Sequence, residues 1–328
     1  MNQRTLGKTG LKVSEIGFGG WAVGGPMEAG GVPIGWSNTS DDESLATIRS
    51  ARDLGVTFFD TSDVYGFGRS ESLLGIVLAR RRGEFVISTK VGLVKNSDGD
   101  IVKDFSRKHI LAAIIGSLRR LRTDYLDLYL GHNPDMDVLR HGEFQETMDR
   151  LQEEGKIRFW GLSVMTPRDG IEVIENGWGH AIQVLYNVLN QSPAETLFPL
   201  AIEKNVGVIA RVPLASGLLS GKYRGDSTFP TNDVRQNFLT TRRLQEAVDR
   251  VDEVKSLVGD GHYTLAQASI RFVLEHDAVA TTIPGARNVR QVESNVAASN
   301  VTLPEESIRK LRERLGDYNF YERHSIRV

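Results

Sequence analysis

The chain has 328 residues, 40% hydrophobic and 25% charged, with a formal net charge of −2 and no cysteine. That balance excludes a strong field for nucleic acid or an anionic membrane, and the absence of thiols excludes disulfides, Cys-ligated zinc and a thiol nucleophile. No apolar run is long enough to cross a bilayer, and Met1-Asn2-Gln3-Arg4 lacks the apolar stretch of a signal peptide, so a cytoplasmic location is expected.

The first predicted element is a hairpin over residues 5–13, with Gly7 and Gly10 at its turn. Eight short apolar runs come next, at residues 16–19, 56–59, 85–89, 125–130, 157–162, 181–186, 206–210 and 279–283. Near-continuous apolar runs of this length are the mark of parallel strands buried on both faces. Between them lie helical patterns. Asp41-Asp42-Glu43 opens one that stops at Gly55, and Ser70 is expected to cap the next, whose stripe is Leu73, Leu74, Val77 and Leu78. Ser106 caps a third that runs to about Leu121, and residues 141–154 form a fourth closed by Gly155. Thr166-Pro167 and Ser192-Pro193 both read as a cap followed by an N1 proline. Thr264 and Asn288 open the seventh and eighth, and Pro304 starts one more before a tail carrying Tyr318, Phe320 and Tyr321. Strand and helix alternate eight times. With right-handed crossovers this predicts an α/β fold, a (β/α)8 TIM barrel forming a single domain over 1–328. The hairpin plugs its bottom, and two long Gly-rich loops, 22–40 and 212–240, lie on the C-terminal face.

One motif misleads. Gly17-x-Gly19-x-x-Ala22 matches the dinucleotide fingerprint and follows a strand. The fingerprint requires a helix to begin at once, so that its N-terminus meets the pyrophosphate. Here Gly24, Gly25 and Pro26 come instead, and the next helical pattern waits until Asp41. A P-loop motif is absent.

Chemistry in such a barrel comes from strand C-termini and the loops after them. The eight runs lead, in order, into Gly20-Trp21, Asp60, Lys90, His132, Ser163, Asn187, Arg211 and Gly285. Asp60 beside Lys90 would hold a buried ammonium charged. Tyr65, five positions after Asp60, can act as an acid toward a carbonyl oxygen, with Lys90 expected to lower its pKa. His132 can donate to the same oxygen. No side chain supplies a hydride, so this set implies a cofactor. An alternative use of Lys90 as a Schiff base is disfavoured by the neighbouring carboxylate.

These residues sit in stretches that resemble the aldo-keto reductase superfamily, in its bacterial and potassium-channel-β-like branch: 59–66 (FDTSDVYG), 88–90 (STK), 132–135 (HNPD), 161–163 (GLS), 213–223 (PLASGLLSGKY) and 283–287 (IPGAR) with Gln291 and Asn295. The resemblance covers nearly the whole chain. It implies an NADPH-dependent reductase of aldehydes or ketones whose catalytic groups are Asp60, Tyr65, Lys90 and His132. It implies a cofactor, NADPH or NADP, laid across the barrel top on Gly20, Trp21, Asp60, Ser163, Gln183, Arg211, Pro213, Leu214, Ser216, Gly217, Lys222, Gly285, Arg287, Gln291 and Asn295. Arg287 offers a planar fork suited to a 2′-phosphate, and backbone N–H groups at the start of the eighth helix are expected to face an anion. Two positions depart from the family's common pattern: Val164 stands where an Asn usually holds the carboxamide, and Arg211 where a Tyr usually stacks on the nicotinamide. Trp21, Trp36, Tyr65, Phe67 and His132 are candidates to line the substrate pocket. The expected partner is a small carbonyl compound, with no metal, nucleic acid or membrane; oligomeric state does not follow from the sequence. The alternative reading is a non-catalytic nicotinamide-sensing regulatory subunit, as some relatives of the superfamily are.

Overall fold

The computed structural model of the protein describes residues 1–37, 39–259 and 261–326. The eight apolar runs become eight parallel strands: β1 (Phe18–Gly19), β2 (Phe58–Asp60), β3 (Val86–Val91), β4 (Leu126–His132), β5 (Ile157–Ser163), β6 (Ala181–Leu185), β7 (Gly207–Arg211) and β8 (Val279–Thr282). They pair in sequence order, and bridges Ile16–Thr282 and Gly19–Gly285 join the first to the last. The sheet is therefore a closed barrel, with the helix of each unit packed outside it, as the sequence predicts.

The helices of the eight units are α1 (Asp41–Asp53), α2 (Arg69–Leu78), α3 (Arg107–Leu121), α4 (Glu143–Glu153), α5 (Pro167–Glu175), α6 (Leu197–Glu203), α7 (Leu265–Leu274) and α8 (Val289–Ala297). A single helical turn, Trp21–Gly24, does follow Gly20 directly, where none was expected before Asp41, and Glu305–Leu315 follows Pro304 as expected. Several start as their caps predict. Ser106 accepts from the N–H of His109, and Thr166 and Thr264 form reciprocal capping boxes with Asp169 and Gln267. Each such cap stabilises its helix by about 1 kcal/mol. Ser70 is not a cap. Gly68 takes that position in the left-handed region, and Ser70 lies inside α2, where its hydroxyl accepts from Thr61 and donates to the Gly20 carbonyl. Ser192-Pro193 starts only one 3-10 turn, and α6 begins later, at Leu197.

The hairpin strands Gln3–Thr5 and Lys12–Ser14 pair antiparallel beneath the barrel. Leu6, Leu11 and Val13 pack against Phe58, Val86, Leu128, Leu130, Ala181, Ile209, Ala280 and Ile283. This apolar cluster fills the lower lumen. A second hairpin, Leu93–Lys95 with Ile101–Lys103, and the long helix Thr241–Val258 were not anticipated. Both belong to insertions after strand ends, where no barrel pattern constrains the sequence. The helix buries Leu244, Ala247, Val251, Val254 and Val258 on one face. No helix among the described residues is long and apolar enough to cross a membrane.

Candidate active site

Side chains of a strand alternate between two faces, so residues two apart share the lumen. On β2, Phe58 faces the apolar lumen, and Asp60 lies two positions on. On β3 the sequence Val86, Ser88, Lys90 climbs from apolar to charged, and on β4 Leu128, Leu130, His132 does the same. Register aligns these ends: Asp60 stands opposite Ser88, Leu130 opposite Lys90, His132 opposite Ser163, and Ser163 opposite Gln183. The polar residues are buried: Asp60, Lys90, His132, Ser163, Gln183 and Arg211 are each 7% exposed or less. Asp60, His132, Ser163 and Arg211 are the last residues of their strands, Lys90 is the last but one, and Gln183 is the middle residue of β6.

Charge is held here by a dense set of bonds. Asp60 accepts from Lys90 Nζ at 2.7 Å, Gln183 Nε2 at 2.8 Å and Ser88 Oγ at 3.0 Å. Lys90 also donates to the Thr61 carbonyl at 2.7 Å and stands 3.4 Å from the Tyr65 hydroxyl. Burial pushes the Lys90 pKa down, but Asp60 and Tyr65 more than offset this, and it ends above the usual lysine value. A charged amine is no nucleophile, which argues against the Schiff-base use. For Tyr65 the expectation of a lowered pKa is corrected. Burial raises it, the pull of Lys90 opposes this only in part, and the phenol ends above its ordinary value. It is thus a protonated donor at neutral pH. The His132 ring meets Tyr65 edge-on, centroids 5.8 Å apart, and its Nδ1 lies 3.1 Å from Ser62 Oγ. Burial, then Lys90 and Arg211, hold its pKa well below the usual histidine range, so it is neutral.

The mouth is aromatic. Trp21 stacks over Tyr65 at 6.2 Å and meets Trp36 edge-on at 5.5 Å. Phe67 is 46% exposed, with positive φ, and Lys95 Nζ lies 5.0 Å from its ring centre. Trp36 Nε1 is buried without a hydrogen-bond partner.

The residues expected around a cofactor fall into three groups. Ser163 donates to Asn133 Oδ1 at 2.9 Å, and Arg211 reaches the Val164 carbonyl at 3.4 Å and Met165 Sδ at 3.8 Å. The backbone of Gly20 is taken by the protein: its N–H donates to the Asp60 carbonyl and its own carbonyl accepts from Ser70. In the loop after β7, Pro213 and Leu214 precede a 3-10 segment, Ala215–Ser220, with positive φ at Ala215, Ser216 and Gly217. Ser216 Oγ pairs with the Tyr321 hydroxyl at 2.9 Å, and Lys222 is exposed. After β8, Gly285 is exposed, Asn295 Nδ2 reaches its carbonyl at 3.4 Å, and Arg287 is half-buried with Nη1 3.4 Å from the Ser37 carbonyl. The N–H of Arg287 donates to Gln291 and that of Gln291 to Asn288. Two amides expected to face an anion are therefore already capped.

Sequence reasoning missed the polar supports. Ser88 shares the Lys90 face, a signal present in the two-residue period. Ser62 and Asn133 sat inside recognised stretches without a role. The two long loops are clasped by Asp233, which accepts from Ser37 Oγ at 2.8 Å and from Arg235 Nε and Nη2 at 2.6 and 2.7 Å. Arg235 lies over the rings of Trp36 and Phe229, at 4.6 and 4.8 Å. Ser37 and Asp233 are 196 positions apart, and no local pattern joins them.

A closed eight-stranded barrel whose mouth sets a protonated tyrosine, a carboxylate-held lysine and a neutral histidine side by side has the makings of an oxidoreductase. Residues 15–315 match the aldo/keto reductase family, and the chain belongs to that family. A probable voltage-gated potassium channel subunit beta of Arabidopsis thaliana is 31% identical, over 92% of this chain and 92% of that protein. The holo form of aldo-keto reductase AKR11C1 from Bacillus halodurans is 29% identical, covers 99% of both chains and superposes with a TM-score of 0.80. An aldo-keto reductase from Klebsiella pneumoniae, solved with NADPH, is 26% identical, covers 95% of both chains and gives a TM-score of 0.69.

Proposed function

We propose that this protein reduces aldehydes or ketones to alcohols with NADPH, working as one barrel unit over residues 1–328 and in the cytoplasm. The observation that carries the reading is Lys90 Nζ, placed 2.7 Å from Asp60 Oδ2 and 3.4 Å from the Tyr65 hydroxyl, with the His132 ring edge-on to Tyr65. Tyr65 holds the proton that the carbonyl oxygen takes up, Lys90 stabilises the phenolate left behind, and Asp60 keeps Lys90 charged. His132 donates a hydrogen bond to the same oxygen.

The residues present fit a nicotinamide dinucleotide. The buried Trp36 N–H has no acceptor, and a Cβ built on Gly285 would meet nothing nearer than 3.7 Å, so the ledge before α8 is open. When bound, the cofactor supplies the hydride that no side chain provides. Ser163 and Gln183 would hold its carboxamide end. Leu214, Ser216, Gly217 and Lys222 would cover the pyrophosphate, and Arg287, Gln291 and Asn295 would meet the adenosine end. The family membership and the NADPH-bound Klebsiella relative support this reading.

Tyr65→Phe tests it. Turnover with a panel of aldehydes should drop by about 10²-fold or more, while NADPH binding followed by fluorescence stays within about twofold. A variant retaining more than about a tenth of the turnover overturns the assignment. The likeness to a potassium channel subunit beta favours a second reading, a regulatory subunit that binds nicotinamide without turnover. Tight NADPH binding by the wild type with no oxidation of it by any aldehyde or ketone would select that reading.

A further inference from the structure

The loop after β2 places a second ionisable group near His132 that the proposed reaction leaves unused. Ser62 Oγ lies 3.1 Å from His132 Nδ1 and 3.2 Å from Asp63 Oδ1, and the N–H of Val64 approaches the same oxygen at 3.4 Å. A serine hydroxyl carries one proton, so it donates to one of these two neighbours and not to both. His132 is neutral, so it also carries one ring proton, on Nδ1 or on Nε2.

Only two arrangements satisfy all three groups. With Asp63 ionised, the Ser62 proton goes to the carboxylate. The Nδ1–H of His132 then donates to Ser62 Oγ, and Nε2 is left as a bare acceptor. With Asp63 protonated, its O–H donates to Ser62 and Ser62 donates to Nδ1. The ring proton then sits on Nε2, the nitrogen left for the site. A mixed state, with an ionised Asp63 facing the lone pairs of a serine that donates to histidine, sets two acceptors against each other.

We propose that Ser62 and Asp63 are positioning residues that set the tautomer of His132, so that the proton on Asp63 decides whether Nε2 can donate to the substrate oxygen. The proposal rests on the reading of His132 as the group that polarises the carbonyl. The step balances in protons. One proton is taken up at Nε2, the proton of Nδ1 moves to Ser62 Oγ, and that of Ser62 moves to Asp63.

The surroundings place the change in an accessible range. Burial and the nearby Glu71 raise the Asp63 pKa, while Ser62, Arg120 and the Val64 N–H oppose them, and it is pushed up to about 7. Glu71 is itself held by Thr89 Oγ1 at 2.7 Å and Arg120 Nε at 2.6 Å, and the field of Asp63 also reaches the Tyr129 hydroxyl. His132 faces the Tyr65 ring and the charges of Lys90 and Arg211. Tyr65, with its pKa above the ordinary tyrosine value, does not titrate near pH 7.

The test is nitrogen-15 NMR of histidine side chains in the full chain without cofactor, where the Nδ1 and Nε2 shifts report the tautomer. Loss of one signal set in His132→Gln assigns the ring among the seven histidines. The wild type should pass from the Nε2–H form at about pH 5.5 to the Nδ1–H form at about pH 8.5, and Ser62→Ala and Asp63→Asn should each remove that dependence. In reduction assays the wild-type kcat should fall about thirtyfold from about pH 5.5 to about pH 8.5 at nearly constant KM, most of it above pH 7, where each further unit approaches tenfold. Both variants should lack that limb. One tautomer throughout in the wild type, or a pH-dependent change that survives in either variant, overturns the proposal. A tautomer change in a protein that reduces no carbonyl would support the relay and refute the proposed function, so the two failures are distinct.

Discussion

Replacing Lys90 with methionine keeps the length of the side chain but takes away the ammonium that faces Asp60. Lys90 is 0% exposed and Asp60 2%, so the charge left on Asp60 cannot turn to water. Removing one partner of a buried ion pair costs about 3–5 kcal/mol, because the other is left uncompensated. The low end applies here, since Asp60 keeps the Ser88 hydroxyl at 3.0 Å and the Gln183 amide at 2.8 Å. A loss of about 3 kcal/mol at pH 8 is therefore expected, and a smaller one at pH 5, where the orphaned carboxylate can take up a proton. Asp60→Asn combined with Lys90→Met should recover about half of the loss, because no buried charge remains. Urea titrations of the cofactor-free protein at both pH values measure this. A loss below about 1 kcal/mol at pH 8, unchanged at pH 5, would refute the description of a dry ion pair.

Arg287→Ala should weaken NADPH about ten- to a hundredfold and NADH far less, since a charged bidentate bond is worth roughly 1.5–3 kcal/mol; equal losses by fluorescence titration would remove Arg287 from 2′-phosphate recognition. The raised pKa of Asp63, about 7, means that its contribution to stability is fully present below about pH 4 and is lost as pH rises through 7. At about 1.4 kcal/mol per pH unit the penalty at pH 8 is at most about 4 kcal/mol, and about half that once the partial exposure of Asp63 is allowed for. Asp63→Asn should thus match the wild type near pH 4 in urea titrations and exceed it by about 2 kcal/mol at pH 8. Asp233→Ala removes the fully buried anchor of Arg235 and Ser37. The clasp should weaken by about 3 kcal/mol, seen as faster proteolysis within 212–240 with little change in the melting of the barrel.

Much of the molecule was legible in the chain itself. The eight apolar runs specify the barrel, because burial on both faces leaves a strand no choice of pattern, and the polar residues that close six of them point to its C-terminal face. Asp60, Lys90 and His132 could be read as neighbours from strand order alone. Ser106, Thr166 and Thr264 cap helices through contacts three residues away, which local sequence determines. Ser70 shows the limit: its cap-like sequence was overruled by Gly68 and by contacts with Thr61 and Gly20, nine and fifty residues distant. Only the tertiary structure decided the protonation of the site, since the pKa of Tyr65 balances burial against Lys90, and neither depth nor distance is written in the residue order. The same holds for the Asp233 clasp and for the Ser62 bridge between Asp63 and His132. Their partners come from segments brought together by closure of the barrel, whose long-range contacts no local propensity encodes.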